Sequence, residues 1–403
     1  MSLFAALFLF LAFQDNFSEK GMKALDDKRY PDAVEDFVRA IAADPADYTL
    51  HFNLALAYSL QGKDADAVGE YKKTLDLKPD LYQADLNLGI TLLRLKRPAE
   101  ALPYLTSAVN QKPKEYRPNS YLGAAWLRAG EFAKAEQAYT TALEIDPKSA
   151  DAELGIAHAL AKQNRLDAAA PHFHKAAELN PNYRDDLLEL ASLYETAQQP
   201  SDAIAIYQQF PDNPGAQERW GVLLIESGQP ADAIPHLETA VAKSPTEANR
   251  AALVTAYVKN NQGDKALPVV EEILARSPND FEFRMLHGRI LRDQRKFPQA
   301  AQDFMGAIKL KADSPEAWSE LAGVQVMAED YPSALAALDR LAALHAEKPG
   351  HVYLRAIVLD KTRDLKPALE SYQRFLTMST GQNPNEEFKA RQRIKVLERE
   401  ISK

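Results

Sequence analysis

Residues 116–149 read YRPNSYLGAAWLRAGEFAKAEQAYTTALEIDPKS, and they carry the pattern from which the architecture of the chain can be inferred. In its first half, Gly123 precedes Trp126 by three positions. In its second half, Ala135 precedes Tyr139 by four. Residues three or four apart share one face of a helix, so each half offers a point of close approach beside a bulky side chain. The stretch therefore predicts two short amphipathic helices, joined by a turn, that pack on each other.

The same pattern recurs along the chain with a fixed period. Five closing prolines follow one another at intervals of thirty-four residues: Pro45, Pro79, Pro113, Pro147 and Pro181. The alanine of the second helix occurs eleven times, at Ala33, Ala67, Ala101, Ala135, Ala169, Ala203, Ala233, Ala266, Ala300, Ala334 and Ala368. A fixed period of this length defines a repeat architecture, in which each unit buries its apolar face against its neighbours.

These residues resemble the tetratricopeptide repeat, which has a small residue in helix A, an alanine and an aromatic residue in helix B, and a closing proline. The resemblance covers about residues 14–382. It implies an all-α fold, a right-handed α-solenoid superhelix of helix-turn-helix units. The expected repeats are about 14–47, 48–81, 82–115, 116–149, 150–183, 184–213, 214–247, 248–280, 281–314, 315–348 and 349–382.

The sixth of these repeats is shorter than the others. Its second helix is followed early by the sequence QQFPDNP at residues 208–214, which predicts a helix about one turn short. A shortened helix changes how the next repeat stacks, so one interpretation is a kink or a discontinuity of the groove at this point. The alternative is drift that the array tolerates.

The apolar start of the chain, residues 1–13, is MSLFAALFLFLAF. It is too short to span a bilayer comfortably and suits a signal peptide or a short apolar anchor. We therefore expect a bacterial protein that is exported, periplasmic or secreted, or tethered to a membrane through this segment alone. The alternative is an apolar helix that caps the first repeat, which would leave the protein cytoplasmic.

At the other end, residues 383–403 are highly charged and leave the repeat pattern. Their apolar residues are spaced four, three and four apart, at Ala390, Ile394, Leu397 and Ile401. This narrow stripe predicts a C-terminal capping helix, which an open-ended stack requires for solubility. A coiled-coil partner helix is the competing interpretation, and three turns of apolar stripe favour it less.

The composition excludes several classes of function. The net charge is −9, and acidic and basic residues are interspersed, which argues against nucleic acid as a partner. The chain has no cysteine, so disulfides, thiolate zinc sites and a cysteine nucleophile are excluded. It also lacks a glycine-rich phosphate loop, a nucleophile elbow and a His-Glu-x-x-His motif.

We expect neither catalysis nor a cofactor, because the repeats and the cap account for the chain after Phe13. We also expect no metal site. The eight histidines are scattered, and the pair His172 and His174 is two positions apart, which points the two rings to different sides of a helix. These histidines are expected to be solvated or to pack against neighbours.

The family resemblance implies that helix A lines a concave face that holds an extended peptide or a helix of a partner. Such a face would offer aromatic, amide and cationic groups, with the asparagines bonding a peptide backbone and the arginines meeting acidic side chains. The following repeats turn acidic, at Asp185 and Glu189 among others. By position, the candidate groove residues are Phe52, Asn53, Asn87, Ile90, Arg94, Arg117, Tyr121, Arg128, His158 and Lys162.

The sequence thus predicts a non-enzymatic scaffold or adaptor for protein–protein interaction. One alternative is a regulatory or targeting subunit of an envelope-associated enzyme or assembly complex. Direct catalysis, as in a glycosyltransferase, would need folded sequence outside the repeats. The repeats that bind chaperone tails grip a carboxylate with Lys, Asn, Asn, Lys and Arg, but this chain keeps only Asn53 of that set, so no such clamp is expected.

Overall fold

The computed structural model describes residues 17–402, and within them every regular element is a helix. The chain divides into two compact units, the first ending at Ile206 and the second beginning at Tyr207. The predicted leader or anchor, residues 1–13, lies outside the described residues. No helix in the described part is both long and apolar enough to cross a bilayer.

The helices of the first unit follow one another in pairs, in which we name the first helix A and the second helix B. The described part of α1 is 17–26, and it pairs with α2. The further bounds are α2 Tyr30–Ala43, α3 Tyr48–Leu60, α4 Asp64–Leu77, α5 Tyr82–Arg94, α6 Pro98–Gln111, α7 Tyr116–Arg128, α8 Phe132–Ile145, α9 Ala150–Lys162, α10 Leu166–Leu179, the 3-10 turn Pro181–Tyr183, α11 Asp186–Thr196 and α12 Pro200–Tyr207.

Helices α7 and α8 show how a pair packs. A β-carbon at Gly123 of α7 would lie 2.8 Å from the Tyr139 ring of α8, so only a glycine fits at this separation. A β-carbon at Gly155 of α9 would meet the other end of the same ring at 2.5 Å. Tyr139 therefore packs between two consecutive A helices. Ala135, one turn earlier on α8, is fully buried, which confirms the predicted helix packing.

The A helices line the concave side of the first unit. Helix α5 contacts α7, and α7 contacts α9, whereas the B helices of neighbouring repeats are farther apart. A stack of hairpins that is closer on one side curves toward that side. The surface that the family resemblance implied for binding is therefore formed by the A helices here.

The sixth repeat has a short second helix, as the sequence predicts, but the helix is shortened by more than the single turn expected. Helix α12 has 8 residues, against 14 in the corresponding helix α10. The boundary between the two units falls within α12.

The second unit continues with helical pairs and ends on one further helix. The bounds are α13 Pro214–Glu226, α14 Pro230–Lys243, α15 Glu247–Lys259, α16 Gly263–Arg276, α17 Phe281–Asp293, α18 Phe297–Leu310, α19 Pro315–Met327, α20 Tyr331–Ala343, α21 Pro349–Lys361, α22 Leu365–Ser379 and α23 Pro384–Ile401. The described residues thus form an all-α array of helical pairs, as predicted.

Helix α23 packs on α22 and caps the second unit. Its residues Ala390 and Leu397 are fully buried, and they belong to one apolar cluster with Phe375 of α22. Arg393 makes two hydrogen bonds to the Asp360 carboxylate, at 2.6 and 2.7 Å. The apolar stripe that the sequence places on this helix is therefore its packing face, and the capping helix is confirmed.

The turn between helices A and B requires one residue in the left-handed backbone conformation, with a positive φ. In three repeats a glycine occupies it, as at Gly130, whose φ is 82°. Other repeats place an ordinary residue there, as at Glu329 with a φ of 58°. A β-carbon in this conformation costs about 1–2 kcal/mol, so the repeats with glycine have the less strained turn.

We expect Gly130→Ala to lower the free energy of unfolding by about 1 kcal/mol, because alanine would have to adopt the left-handed conformation. Denaturation of the full chain followed by circular dichroism measures this change. The reciprocal substitution Glu329→Gly is the control, and it should leave the stability unchanged or higher. A destabilised Glu329→Gly chain beside an unaffected Gly130→Ala chain would contradict this account of the turn.

Candidate partner-binding surface

Arg94 is held in place by an ion pair between two repeats. Its Nε and Nη2 atoms donate to the two carboxylate oxygens of Asp64 at 3.0 and 2.6 Å. It also contacts the hydroxyls of Ser59 and Thr91. The hydrogen bonds to Asp64 raise the pKa of the Arg94 guanidinium, so this side chain is fixed and charged.

Arg94 and Arg128 meet at one cavity near the ends of their helices. Arg128 Nη1 donates to the carbonyl oxygen of Leu93 at 3.1 Å, which brings it next to Arg94. Together with Lys96 and Pro98, these three residues line an open cavity of about 530 Å³. Among the described residues, neither Lys96 nor Arg128 forms an ion pair with a carboxylate. The cavity therefore combines apolar walls with positive charge that the first unit leaves unneutralised.

The predicted aromatic and amide residues of the groove are largely engaged in packing. The Phe52 ring lies edge-on to Tyr71, with 5.8 Å between the ring centroids. Burial raises the pKa of Tyr71 to about 12, and a hydrogen bond from the Asn87 side chain opposes this rise. These contacts fix Phe52 and Asn87 against their own and the neighbouring repeat.

Three further predicted residues, Asn53, Ile90 and Tyr121, are half-buried. Ile90 and Tyr121 pack against the apolar cluster of the second and third repeats, so only part of each side chain faces solvent. They offer a partner apolar surface that is already held rigid, which reduces the entropy lost on binding.

Arg117 and Lys162 are two further predicted cations of the A helices. Arg117 is the second residue of α7, and Lys162 is the last residue of α9. Both are exposed, and no carboxylate within the described range pairs with either of them. A cation at the carboxyl end of a helix is also favoured by the helix dipole, which supports a charged Lys162.

The A helices of the second unit show the contrasting case. Arg289 of α17 donates to Glu320 of α19 at 2.8 Å and also contacts Glu316. Arg292, one turn later, contacts the other oxygen of Glu320. These cations are neutralised within the unit, so the basic surface of the first unit is a local property and not one that every repeat shares.

The structure places His158, the remaining predicted groove residue, beside acidic side chains. Its ring lies edge-on to Phe173, at 5.3 Å between centroids. Its Nε2 atom is 3.4 Å from Glu189 Oε2, and Asp186 lies in the same cluster. Burial raises the pKa of the Asp186 carboxyl, and the charge of Glu189 adds to that effect.

Sequence reasoning missed Lys96 and Asp186. Lys96 lies outside the helices, in the A–B turn, with a φ of 58°. The sequence did offer one indication that Lys96 belongs to this surface, which is its position two residues after Arg94. Asp186 is the first residue of α11, three positions before Glu189, and this spacing on one helix face was the signal for it.

Paired helices with a small residue facing a large one, stacked in a row with a capping helix, define an α-helical repeat protein. The chain belongs to the tetratricopeptide repeat family. One model described as tetratricopeptide repeat matches residues 19–82, 83–150, 154–216, 285–349 and 319–384, and a second model with the same description matches residues 224–290. Arrays of this class are scaffolds for protein–protein interaction.

Several solved structures are similar to parts of this chain. One titled MamA MSR-1 C2 is 25% identical, with a TM-score of 0.40, over 42% of this chain and 97% of that chain. MamA from Desulfovibrio magneticus RS-1 is 22% identical, with a TM-score of 0.40, over 42% and 96%. YrrB, a tetratricopeptide repeat protein, is 20% identical, with a TM-score of 0.40, over 45% and 90%. A comparison with curated proteins gives no match.

Proposed function

We propose that the A helices of the first unit bind an acidic, extended segment of a partner protein, and that the chain acts as an adaptor without chemistry of its own. The observation that carries this proposal is the pair of cations without an ion pair among the described residues, Lys96 and Arg128, that line one cavity beside Arg94. Arg117 on α7 and Lys162 on α9 add exposed positive charge to the A helices. Clustered charge of one sign favours a partner of the opposite sign and speeds the encounter with it.

The cavity beside Arg128 supplies a specific anchor for such a segment. Its guanidinium is already oriented by the Leu93 carbonyl, and Arg94 is oriented by Asp64. A carboxylate side chain entering the cavity would meet Lys96 and both arginines while its aliphatic part lies on Pro98. Charge-assisted hydrogen bonds to oriented donors cost little side-chain entropy, so the anchor favours Asp or Glu over neutral residues.

A non-enzymatic role is supported by the organisation of the described residues. Helical pairs and the cap account for residues 17–402, and the polar groups described above form a surface rather than a closed site. Export or membrane tethering through residues 1–13 stays a prediction from the sequence.

Selection of a randomised peptide library displayed on phage tests the proposed specificity. We expect the full chain to enrich peptides that contain Asp and Glu, and their affinity to fall as salt is added, because ions screen exposed charges. The double substitution Arg117→Glu with Arg128→Glu should weaken the binding of a selected synthetic peptide, measured by fluorescence anisotropy, by at least about tenfold, or about 1.4 kcal/mol.

The matched control reverses two cations of the same unit that lie outside the A helices. Lys148 is exposed in the turn before α9, and Lys175 is exposed on α10. Lys148→Glu with Lys175→Glu changes the net charge equally and should retain the affinity. Enrichment of peptides without acidic residues would refute a specific basic site. An equal loss of peptide affinity in both double variants would refute it as well.

A further inference from the structure

Three side chains from two neighbouring A helices converge in the first unit. His158 projects from α9, and Asp186 and Glu189 project from α11. The two acids are three positions apart, so they occupy one face of α11. One donor atom from each of the three residues lies within 4.8 Å of the other two. The cluster thus gathers one imidazole nitrogen and two carboxylates around a common point.

The contact between His158 and Glu189 is longer than the histidine–carboxylate hydrogen bonds of this chain. His287 Nε2 is likewise 3.7 Å from Glu271 Oε1 without a hydrogen bond, but only at His158 does a third metal-binding side chain of the described residues join the group. His51, His172 and His287 approach a carboxylate oxygen at 2.6, 2.5 and 2.7 Å, which is hydrogen-bond distance. His158 Nε2 instead stays 3.4 Å from Glu189, and this buried atom has no hydrogen-bond partner among the described residues. A buried nitrogen without a partner costs free energy unless something else binds it.

The distance fits two ligands of one metal ion better than it fits a hydrogen bond. Zinc binds nitrogen and oxygen ligands at roughly 2.0–2.1 Å in tetrahedral geometry, which places two ligand atoms about 3.4 Å apart. Nε2 of His158 and Oε2 of Glu189 have this separation. The charge of the three ligands also matches that of a divalent cation, because a neutral imidazole and two carboxylates carry two negative charges in total.

We propose that His158, Asp186 and Glu189 bind a divalent transition-metal ion, with Zn²⁺ as the best match to this donor set. Three protein ligands leave one tetrahedral position open to water or to a donor atom of a bound partner. The ion would join helix A of the fifth repeat to helix A of the sixth.

Metal titration of the full chain tests this site. After removal of metals with a chelator, we expect one Co²⁺ or Zn²⁺ ion to bind per chain, followed by the absorption spectrum of Co²⁺ and by calorimetry for Zn²⁺. His158→Gln, Asp186→Asn and Glu189→Gln should each weaken that binding by at least about tenfold. Zn²⁺ should raise the melting temperature of the unmodified chain and leave that of the His158→Gln chain unchanged.

The matched control is His174→Gln, which removes an exposed imidazole from α10 of the same unit. It should bind Co²⁺ with unchanged affinity and spectrum. Circular dichroism of each variant without metal establishes that its helices are retained. Two results would overturn the proposal: an unmodified chain that binds no metal at millimolar concentration, or binding that all three ligand substitutions leave unchanged. Neither result bears on the peptide site, whose test uses other residues.

Discussion

Ala135→Glu is expected to lower the free energy of unfolding by roughly 3–5 kcal/mol, the cost of leaving a charge buried without a partner. Ala135 is fully buried on α8, at the interface with α7. A glutamate there must either lose its hydration or force the two helices apart. Since each repeat packs on its neighbours, the loss should spread to the adjoining repeats.

Hydrogen exchange read on peptides from residues 116–162 localises this effect, and chemical denaturation gives its size. The control is Gln137→Glu, two positions later on the same helix, where the side chain is exposed. It adds the same charge and should change the stability by no more than about 0.5 kcal/mol. Equal exchange rates in the Ala135→Glu chain and the unmodified chain would contradict the assignment of Ala135 to the helix interface.

Tyr139→Ala is the second substitution for which we expect a large loss, about 3–5 kcal/mol. The ring is 7% exposed and fills the space between Gly123 and Gly155. Neither glycine has a side chain that could move into the cavity left by the ring. The lost packing therefore affects the contact within the fourth repeat and the contact between the fourth and fifth repeats.

The matched substitution Tyr139→Phe keeps the ring and removes only the hydroxyl, whose pKa burial raises well above the ordinary value. We expect it to cost no more than about 1.5 kcal/mol in the same denaturation experiment. If Tyr139→Phe and Tyr139→Ala proved equally destabilising, the hydroxyl rather than the ring would hold the repeats together, and the role given to the two glycines would be wrong.

Much of the architecture could be predicted from the sequence because every repeat must bury the same apolar helix faces. The alternation of Gly123 with Trp126 and of Ala135 with Tyr139 encodes two helix faces, and the spacing of the closing prolines encodes the length of a repeat. The apolar stripe that includes Ala390 and Leu397 likewise encodes a last helix that packs on one side. These patterns are local and periodic, so they can be read without coordinates.

The contacts that the predicted groove residues make could not be predicted from these patterns. Arg94 looked like a free cation, and the structure pairs it with Asp64, thirty positions earlier in the chain. Lys96 joins Arg94 and Arg128 at one cavity although it lies in a turn. His158, expected to be a solvated or packing histidine, stands beside Asp186 and Glu189.

The class of fold, the register of the helical pairs and the buried side of each helix therefore follow from the residue pattern alone. Which charged groups meet across neighbouring repeats depends on how the folded repeats stack. The physical reason is that burial of apolar faces must recur in every repeat, and so leaves a period in the sequence. The reach of a long polar side chain depends instead on how two particular repeats stack, and no period constrains it.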